Sequence, residues 1–287
     1  MTLLVSWIAV DSRSPSSIYM ASDSRISWDN NKKYDFGKKV FACRNYPEIF
    51  GYCGDVLFPV MILNQIVDSI DNDLLFTSNL TCIEKTKIVM KRMAESFKKY
   101  PSEVEQLVKP TFEILHCSRD DNKSFSCCKI SWNRNNKRSW SLKKVDTFKY
   151  SDKVFILGSG GKEFEKKFKE YLNGENAKTS RSLFQCFCHT LSDVVDQSCG
   201  GAPQLAGIYR KPGSGGRLFG IIIGKKRYFE GMQIDNYPKE KYNNIEWRNE
   251  LFEICDGVTR HRKEGAQRQP NPVREKKQLP MPHNILD

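Results

Sequence analysis

The sequence predicts an α+β fold, in which strands and helices come in groups rather than in alternation. Short apolar runs open the chain, two stretches with helical spacing follow, and strands, two more helices and further strands come after them. Grouped elements of this kind are typical of layered α+β folds, whereas parallel α/β sheets alternate strand and helix. Helix pairs on both sides of two stacked sheets would bury every apolar face.

Four apolar runs near the N-terminus predict the first strands. Residues 3–10 are short and aliphatic, as expected of a buried strand, and residues 18–22 follow a turn that contains Ser, Arg and Pro. These two strands therefore form a hairpin. Residues 40–43 and 49–53 flank a turn around Pro47 and are predicted to form two more strands.

The rest of the chain repeats this grouping. Residues 55–71 and 83–100 place apolar side chains at helical spacing, and the outer face of the second stretch is rich in lysine. The later elements are predicted as strands at 112–117, 125–132, 140–145 and 154–157, helices at 162–173 and 182–195, and strands at 205–209, 218–223 and 228–229.

Composition limits the classes of protein that the chain can represent. Of its 287 residues, 39% are hydrophobic, which is enough for a sizeable core, and 11% are aromatic, which argues against global disorder. The net charge of +12 is spread over short lysine clusters rather than along one stripe. Since no nucleic-acid-binding motif accompanies it, we expect a solvated surface and not a nucleic-acid interface.

The ten cysteines and the N-terminus indicate a cytoplasmic protein with reduced thiols. The first residues lack the charged n-region and the cleavage site of a secretory signal, and no apolar stretch approaches the ~18 residues of a membrane span. The segment 186–189, Cys-Phe-Cys-His, does not have the spacing of a zinc ligand pair. We therefore expect no metal, no cofactor and no membrane.

One main domain is predicted over residues 1–258. The last stretch, residues 259–287, is rich in charge, Gln and Pro and poor in apolar side chains. Such a composition is typical of a disordered tail, here a basic one.

Thr2 is the first candidate for chemistry. It follows Met1 directly and is small enough for aminopeptidase removal of that methionine. Removal would leave a free α-amine on the residue that also carries a hydroxyl, and such an amine can act as the base for its own nucleophile. Its reference pKa lies near 8, so a usable fraction is neutral at the pH of the cell.

Five further segments follow Thr2 in a characteristic order. They are 21–25 (Ala-Ser-Asp-Ser-Arg), 37–40 (Gly-Lys-Lys-Val), 50–55 (Phe-Gly-Tyr-Cys-Gly-Asp), 157–161 (Leu-Gly-Ser-Gly-Gly) and 196–201 (Asp-Gln-Ser-Cys-Gly-Gly). Together with Thr2, this ordered set resembles the proteasome β-type subunits and their HslV-like relatives, the N-terminal threonine branch of the N-terminal nucleophile (Ntn) hydrolases. The resemblance covers residues 2–225 and implies a four-layer αββα sandwich, cleavage of peptide or amide bonds, and a homo-oligomer.

The resemblance also assigns roles at the reacting centre. Thr2 Oγ would attack a carbonyl, and the Lys39 ammonium would favour the alkoxide. Asp23 would be the counter-charge of a buried Lys39, with Arg25 bracing its carboxylate. The spacing of 16 positions between Asp23 and Lys39 fits two adjacent strand starts. The backbone N–H of Gly54 would stabilise the oxyanion.

Other positions are expected to support this centre. Ser159 would contact the Thr2 amine and relay protons, and Asp196 would orient both. Cys199 stands where the family usually has Ser, which alters that relay. Tyr52 and Cys53 would shape a pocket for apolar or uncharged substrate side chains.

Several alternatives remain open on the sequence alone. Asp23 and Lys39 could form a surface ion pair, because exposed pairs are common. If Met1 stays in place, the proposed base is acylated and absent. The chain could then be a catalytically silent scaffold of the same fold, with its basic surface binding a protein or nucleic acid. An active enzyme, by contrast, would act on peptides or proteins, with an unfoldase as one candidate partner.

Overall fold

The computed structural model describes residues 2–28, 32–101, 111–121, 123–134, 139–145, 150–193, 197–235 and 238–266. Its strands are β1 (Leu4–Val10), β2 (Pro15–Ser22), β3 (Ile26–Ser27), β4 (Lys33–Tyr34), β5 (Val40–Ala42), β6 (Glu48–Cys53), β7 (Thr111–Arg119), β8 (Phe125–Asn133), β9 (Ser139–Val145), β10 (Asp152–Leu157), β11 (Gln204–Tyr209), β12 (Arg217–Ile223), β13 (Lys226–Phe229), β14 (Met232–Gln233), β15 (Trp247–Asn249) and β16 (Ile254–Cys255). Its helices are α1 (Leu57–Asp71), α2 (Cys82–Phe97), α3 (Gly161–Tyr171) and α4 (Ser180–Asp193), with a 3₁₀ turn at Lys239–Asn244.

The first sheet contains the N-terminal strand β1 between β10 and β2. Its strand order is β10-β1-β2-β11-β12-β13-β14, and β15 adds to β12 in parallel. Leu4 lies opposite both Leu157 and Ser22, and Ser22 lies opposite Gln204 on its other side. The residues next to these pairs, including Thr2, therefore lie at the same end of the strands.

The second sheet is antiparallel, with the order β5-β6-β7-β8-β9. It packs against the first sheet at Gly51, where an added Cβ would lie 2.4 Å from Met20 Sδ and 3.0 Å from a methyl of Leu4. Glycine at position 51 therefore leaves room for the side chains of the facing sheet, and its backbone angles do not call for glycine.

Three large clusters of buried apolar side chains hold the two sheets and the four helices together, and a smaller cluster surrounds Trp247. One joins the first sheet to α3 and α4, where Trp7 packs on Phe184. A second joins the other sheet to α1 and α2, with Phe58 among its members, and a third lies between the sheets and contains Leu4 and Leu115. Burying each such side chain contributes about 2 kcal/mol.

The predicted mixture of sheets and helices is confirmed, and each strand and helix named above from the sequence corresponds to an element of the described structure. The predicted end of the last helix, residues 194–195, lies outside the described residues. The structure adds β3, β4, β14, β15 and β16, which are two or three residues long. Runs this short contain too few residues for a periodic pattern. Helix α2 begins at Cys82 because Thr81 caps it: the Thr81 hydroxyl accepts from the Glu84 N–H, and Glu84 accepts from the Thr81 N–H.

The chain beyond residue 258 continues to pair for several residues. Cys255 forms an isolated antiparallel β-bridge with Arg262, and the Lys263 N–H donates to the Ile254 carbonyl at 2.9 Å. The predicted domain boundary at 258 stays a prediction, and residues 267–287 of the predicted tail lie outside the described residues. None of the helices in the described ranges has the length and apolar character that crossing a bilayer requires.

A buried charged network connects the second sheet to α2. The Glu48 carboxylate, fully buried on β6, lies 2.7 Å from Lys85 Nζ and 2.8 Å from His116 Nε2. His116 Nδ1 is 2.9 Å from the Thr86 hydroxyl, and the Phe50 ring stacks on the imidazole at 4.4 Å. Glu48 is thus the counter-charge that makes the burial of Lys85 tolerable.

We expect Glu48→Gln to lower the free energy of unfolding by about 3–5 kcal/mol, because it leaves the Lys85 ammonium buried without a counter-charge. Urea titration measures this loss. Glu95→Gln is the matched control, since Glu95 forms an exposed pair with Lys91 at 3.9 Å, and we expect it to change stability by no more than about 0.5 kcal/mol. If Glu48→Gln lowered the free energy of unfolding by no more than about 0.5 kcal/mol, as expected for Glu95→Gln, the network would contribute nothing to stability.

Candidate active site

Thr2 lies at the entrance to β1 and is 3% exposed. Its carbonyl accepts a hydrogen bond from the Gly160 N–H at 3.3 Å. Gly158 has φ +86°, and an added Cβ would collide with the same Thr2 carbonyl. The glycine turn between β10 and α3 therefore fixes the backbone of the candidate nucleophile.

Lys39 brings its ammonium to the Thr2 hydroxyl. Lys39 Nζ lies 3.0 Å from Thr2 Oγ1 and 2.8 Å from Asp23 Oδ1. The side chains of Lys39 and Asp23 are 1% and 0% exposed. The alternative of a surface ion pair is therefore wrong, because both charges have been removed from water.

The two charged residues come from different sheets. Asp23 directly follows β2 of the first sheet, and Lys39 directly precedes β5 of the second. The expectation of two adjacent strand starts is wrong on this point. A spacing of 16 positions fits a hairpin neighbour, but here the chain crosses from one sheet to the other between the two residues.

The Asp23 carboxylate is fully hydrogen bonded. Oδ1 accepts from the Leu3 N–H at 3.1 Å as well as from Lys39, and Oδ2 accepts from the N–H groups of Gly200 at 3.1 Å and Arg25 at 3.3 Å. Burial raises the pKa of the Asp23 carboxyl, while the Lys39 ammonium and the N–H donors oppose that rise. These donors offset the cost of burying the charge.

Arg25 supports this arrangement in a way that the sequence did not predict. Its backbone N–H reaches Asp23, but its guanidinium forms a bidentate pair with Asp35, at 2.6 and 2.8 Å. The same guanidinium donates to the carbonyls of Gln197 and Cys199 at 3.0 and 3.1 Å. Arg25 therefore braces the loop that presents the Gly200 N–H, and the predicted side-chain contact with Asp23 is wrong.

Ser159 and Cys199 lie together beside this centre. Ser159 Oγ is 3.6 Å from Cys199 Sγ, a distance suited to a weak hydrogen bond involving sulfur. Ser159 is exposed and Cys199 is 1% exposed. Asp196, the predicted partner of Ser159, lies outside the described residues.

Gly54 occupies the turn between β6 and α1. It has φ +97°, and an added Cβ would lie 2.6 Å from the Thr111 carbonyl oxygen. The turn therefore needs glycine for its own conformation. The role of its N–H as an oxyanion donor stays a prediction.

Tyr52 and Cys53, predicted to shape a substrate pocket, are 1% and 4% exposed. Along β6, Tyr52 faces the cluster with α1 and α2, and Cys53 faces the cluster between the sheets. The Tyr52 hydroxyl donates to the Lys38 carbonyl at 3.1 Å, and its N–H donates to the Lys39 carbonyl at 3.3 Å. The pocket prediction is not supported: these are core side chains, and Tyr52 anchors the backbone of the Lys39 segment.

Gln204 was missed from the sequence. It is 1% exposed and hydrogen bonds to the backbones of Lys39, Gly37 and Asp23. The sequence feature that could have identified it is a polar residue at the start of an otherwise apolar strand.

Within the described ranges, His, Cys, Asp and Glu side chains do not gather in groups of three or more that could hold a metal ion.

The site can therefore perform one kind of chemistry with its own groups. A hydroxyl touches a buried ammonium whose charge is balanced by a carboxylate, an arrangement that stabilises a developing alkoxide in a poorly hydrated setting. The ammonium lowers the energy of an alkoxide, and a separate base is needed to take the hydroxyl proton.

No protein-family model matches the sequence, and no curated protein matches it. Solved structures do resemble it. The Anbu complex from Pseudomonas aeruginosa, described as a helical assembly, has a TM-score of 0.53 at 13% identity and covers 82% of this chain and 88% of that chain. Anbu from Yersinia bercovieri, described as an ancestral beta-subunit, has a TM-score of 0.51 at 10% identity, covering 74% and 85%.

A weaker similarity is to eukaryotic HslV from Trypanosoma brucei, with a TM-score of 0.45 at 8% identity over 72% of this chain and 99% of that chain. The Anbu similarity concerns the fold, since the identities are low. The chain shares the fold of these two Anbu structures.

Proposed function

We propose that this protein is an N-terminal threonine hydrolase that cleaves peptide or amide bonds through a Thr2 acyl-enzyme after removal of Met1. The observation that carries the proposal is the buried chain Thr2 Oγ1–Lys39 Nζ–Asp23 Oδ1, with steps of 3.0 and 2.8 Å. A scaffold has no need to bury an ion pair against a hydroxyl, because such burial costs stability. The two sheets and their helix pairs would form the four-layer αββα sandwich.

The proposed reaction begins with attack by Thr2 Oγ on the substrate carbonyl carbon. The hydroxyl proton passes to the freed α-amine, directly or through one water, while the Lys39 ammonium stabilises the oxygen as charge develops. The Gly54 N–H would donate to the carbonyl oxygen. The C–N bond then breaks, the leaving amine takes the proton, and water hydrolyses the ester.

The supporting roles remain proposals of the same kind. Ser159 would contact the amine and relay protons, with Asp196 orienting both groups. Cys199 replaces the serine that this relay usually contains, and its sulfur is a weaker hydrogen-bond partner than a hydroxyl oxygen.

Substrate and assembly follow from the same proposal. We infer a peptide or protein substrate, a homo-oligomer and a cytoplasmic setting, with an unfoldase as a candidate partner. The helical assembly of the Anbu relative supports an oligomer.

Intact-mass spectrometry before and after treatment with a peptide epoxyketone or β-lactone tests the nucleophile. We expect loss of Met1 and a single adduct that Thr2→Ala abolishes, because the β-lactone acylates the hydroxyl of residue 2 and the epoxyketone reacts with both its hydroxyl and its free amine. Retained Met1 with no adduct would contradict the proposal for this form of the protein. It would favour the alternative, a silent scaffold whose basic surface binds a partner or nucleic acid.

Lys39→Met separates the chemical from the structural role of the ammonium. We expect it to slow adduct formation by roughly 100-fold or more and to lower the free energy of unfolding by about 3–5 kcal/mol, since Asp23 is left buried and unpaired.

The double variant Asp23→Asn, Lys39→Met is the control. It contains no buried charge at this place, so we expect most of the stability to return, as measured by urea titration, while adduct formation stays slow. If reactivity returned together with stability, Lys39 would be a structural residue only.

A further inference from the structure

The Gln204 side chain forms hydrogen bonds to both segments that carry the charged pair. Its Oε1 accepts from the Lys39 backbone N–H at 3.0 Å. Its Nε2 donates to the Gly37 carbonyl at 2.6 Å and to the Asp23 carbonyl at 3.4 Å. One amide therefore uses both of its donors and its acceptor on the backbone of the candidate active site.

These bonds connect the two sheets. Gln204 opens β11 and lies opposite Ser22 at the end of β2, in the first sheet. Gly37 and Lys39 belong to the segment that enters β5, in the second sheet. Lys39 is 165 positions from Gln204 along the chain, so only the packing of the sheets brings the two together.

We propose that Gln204 is a positioning residue that holds Lys39 Nζ at hydrogen-bonding distance from Thr2 Oγ1. It does so by fixing the separation between the Asp23 segment and the Lys39 segment. The inference rests on the proposed function, since it concerns the reactivity of Thr2.

The identity of the residue supports this role. The next side chains of β11 on the same face, Ala206 and Ile208, are buried in the apolar cluster between the sheets. An apolar residue at 204 would continue that cluster. It would also leave the Lys39 N–H and the Gly37 carbonyl without their partner, which costs more than the bond itself contributes.

A glycine turn shields these hydrogen bonds from water. Gly231, between β13 and β14, has φ +87°, and an added Cβ would lie 2.7 Å from Ser24 Cβ and 3.2 Å from Gln204 Nε2. The backbone of this turn therefore lies directly against the amide. Hydrogen bonds in such a dry place are electrostatically strong and hold their groups rigidly.

The test compares Gln204→Met, which keeps the size of the side chain without hydrogen bonds, with Gln204→Glu, which keeps the acceptor. Ile208→Val is the matched control, a loss of one buried methylene on the same strand. The full-length protein is treated with the β-lactone probe, and the maximal rate of Thr2 modification (kinact) is separated from probe binding (KI).

We expect kinact of Gln204→Met to fall by about 10- to 100-fold, as for other small displacements of a reacting group. KI should change less than about twofold, because Gln204 is buried and contacts the Lys39 backbone rather than the substrate. Ile208→Val should leave kinact near the wild-type value.

Gln204→Glu adds a pH readout that a purely structural residue would not show. The protonated carboxyl regains one donor for the Gly37 carbonyl, whereas the carboxylate has none. The kinact of Gln204→Glu relative to the wild type should therefore rise as the pH falls, while the same ratio for Gln204→Met stays flat.

Hydrogen exchange of the Lys39 backbone amide, followed by mass spectrometry, tests the contact without reference to activity. We expect faster exchange in Gln204→Met than in the wild type or Ile208→Val. Unchanged exchange, or a kinact for Gln204→Met within twofold of Ile208→Val, would overturn the inference. If the wild type itself forms no adduct, the proposed function fails, and the exchange result alone decides whether Gln204 holds the segment.

Discussion

The burial of one ion pair at the junction of two sheets is the constraint on which the candidate site depends. Lys39 and Asp23 are 1% and 0% exposed, and removing two charges from water is expensive unless every remaining donor and acceptor is satisfied. In the structure the Thr2 hydroxyl contacts the ammonium on one side, and backbone N–H groups bind the carboxylate on the other. The same contacts therefore position the candidate nucleophile and stabilise this region.

Two glycines let neighbouring segments come close together around the ion pair. Gly158 lets the turn after β10 contact the Thr2 carbonyl, and Gly51 lets the two sheets meet beneath it. A side chain at position 158 would displace the Thr2 backbone, and one at position 51 would require the Met20 side chain to move. The Arg25–Asp35 pair acts further out, where it braces the loop that supplies the Gly200 N–H.

The elements that the sequence predicted well are the ones with strong periodicity. The amphipathic helices bury one face each, and the apolar strands of the N-terminal hairpin are buried on both faces. Both requirements leave a pattern that is visible in a single chain. The sequence also pointed to Thr2, Asp23 and Lys39, although it did so through the order of short segments rather than through any one of them. Tyr52 and Cys53 were misjudged because their alternation along β6 directs them into two cores, which depends on what covers each face.

What the sequence by itself determined is the kind of chemistry available: a threonine near the N-terminus, a lysine and an aspartate at turns, and glycines where the backbone must bend. Only the tertiary structure decided that the lysine and the aspartate meet across two sheets, that Arg25 pairs with Asp35, and that Gln204 joins both segments. The physical reason is separation along the chain. Contacts such as Lys39 with Gln204, 165 positions apart, leave no local pattern, because they exist only once the apolar faces of the sheets are buried against each other.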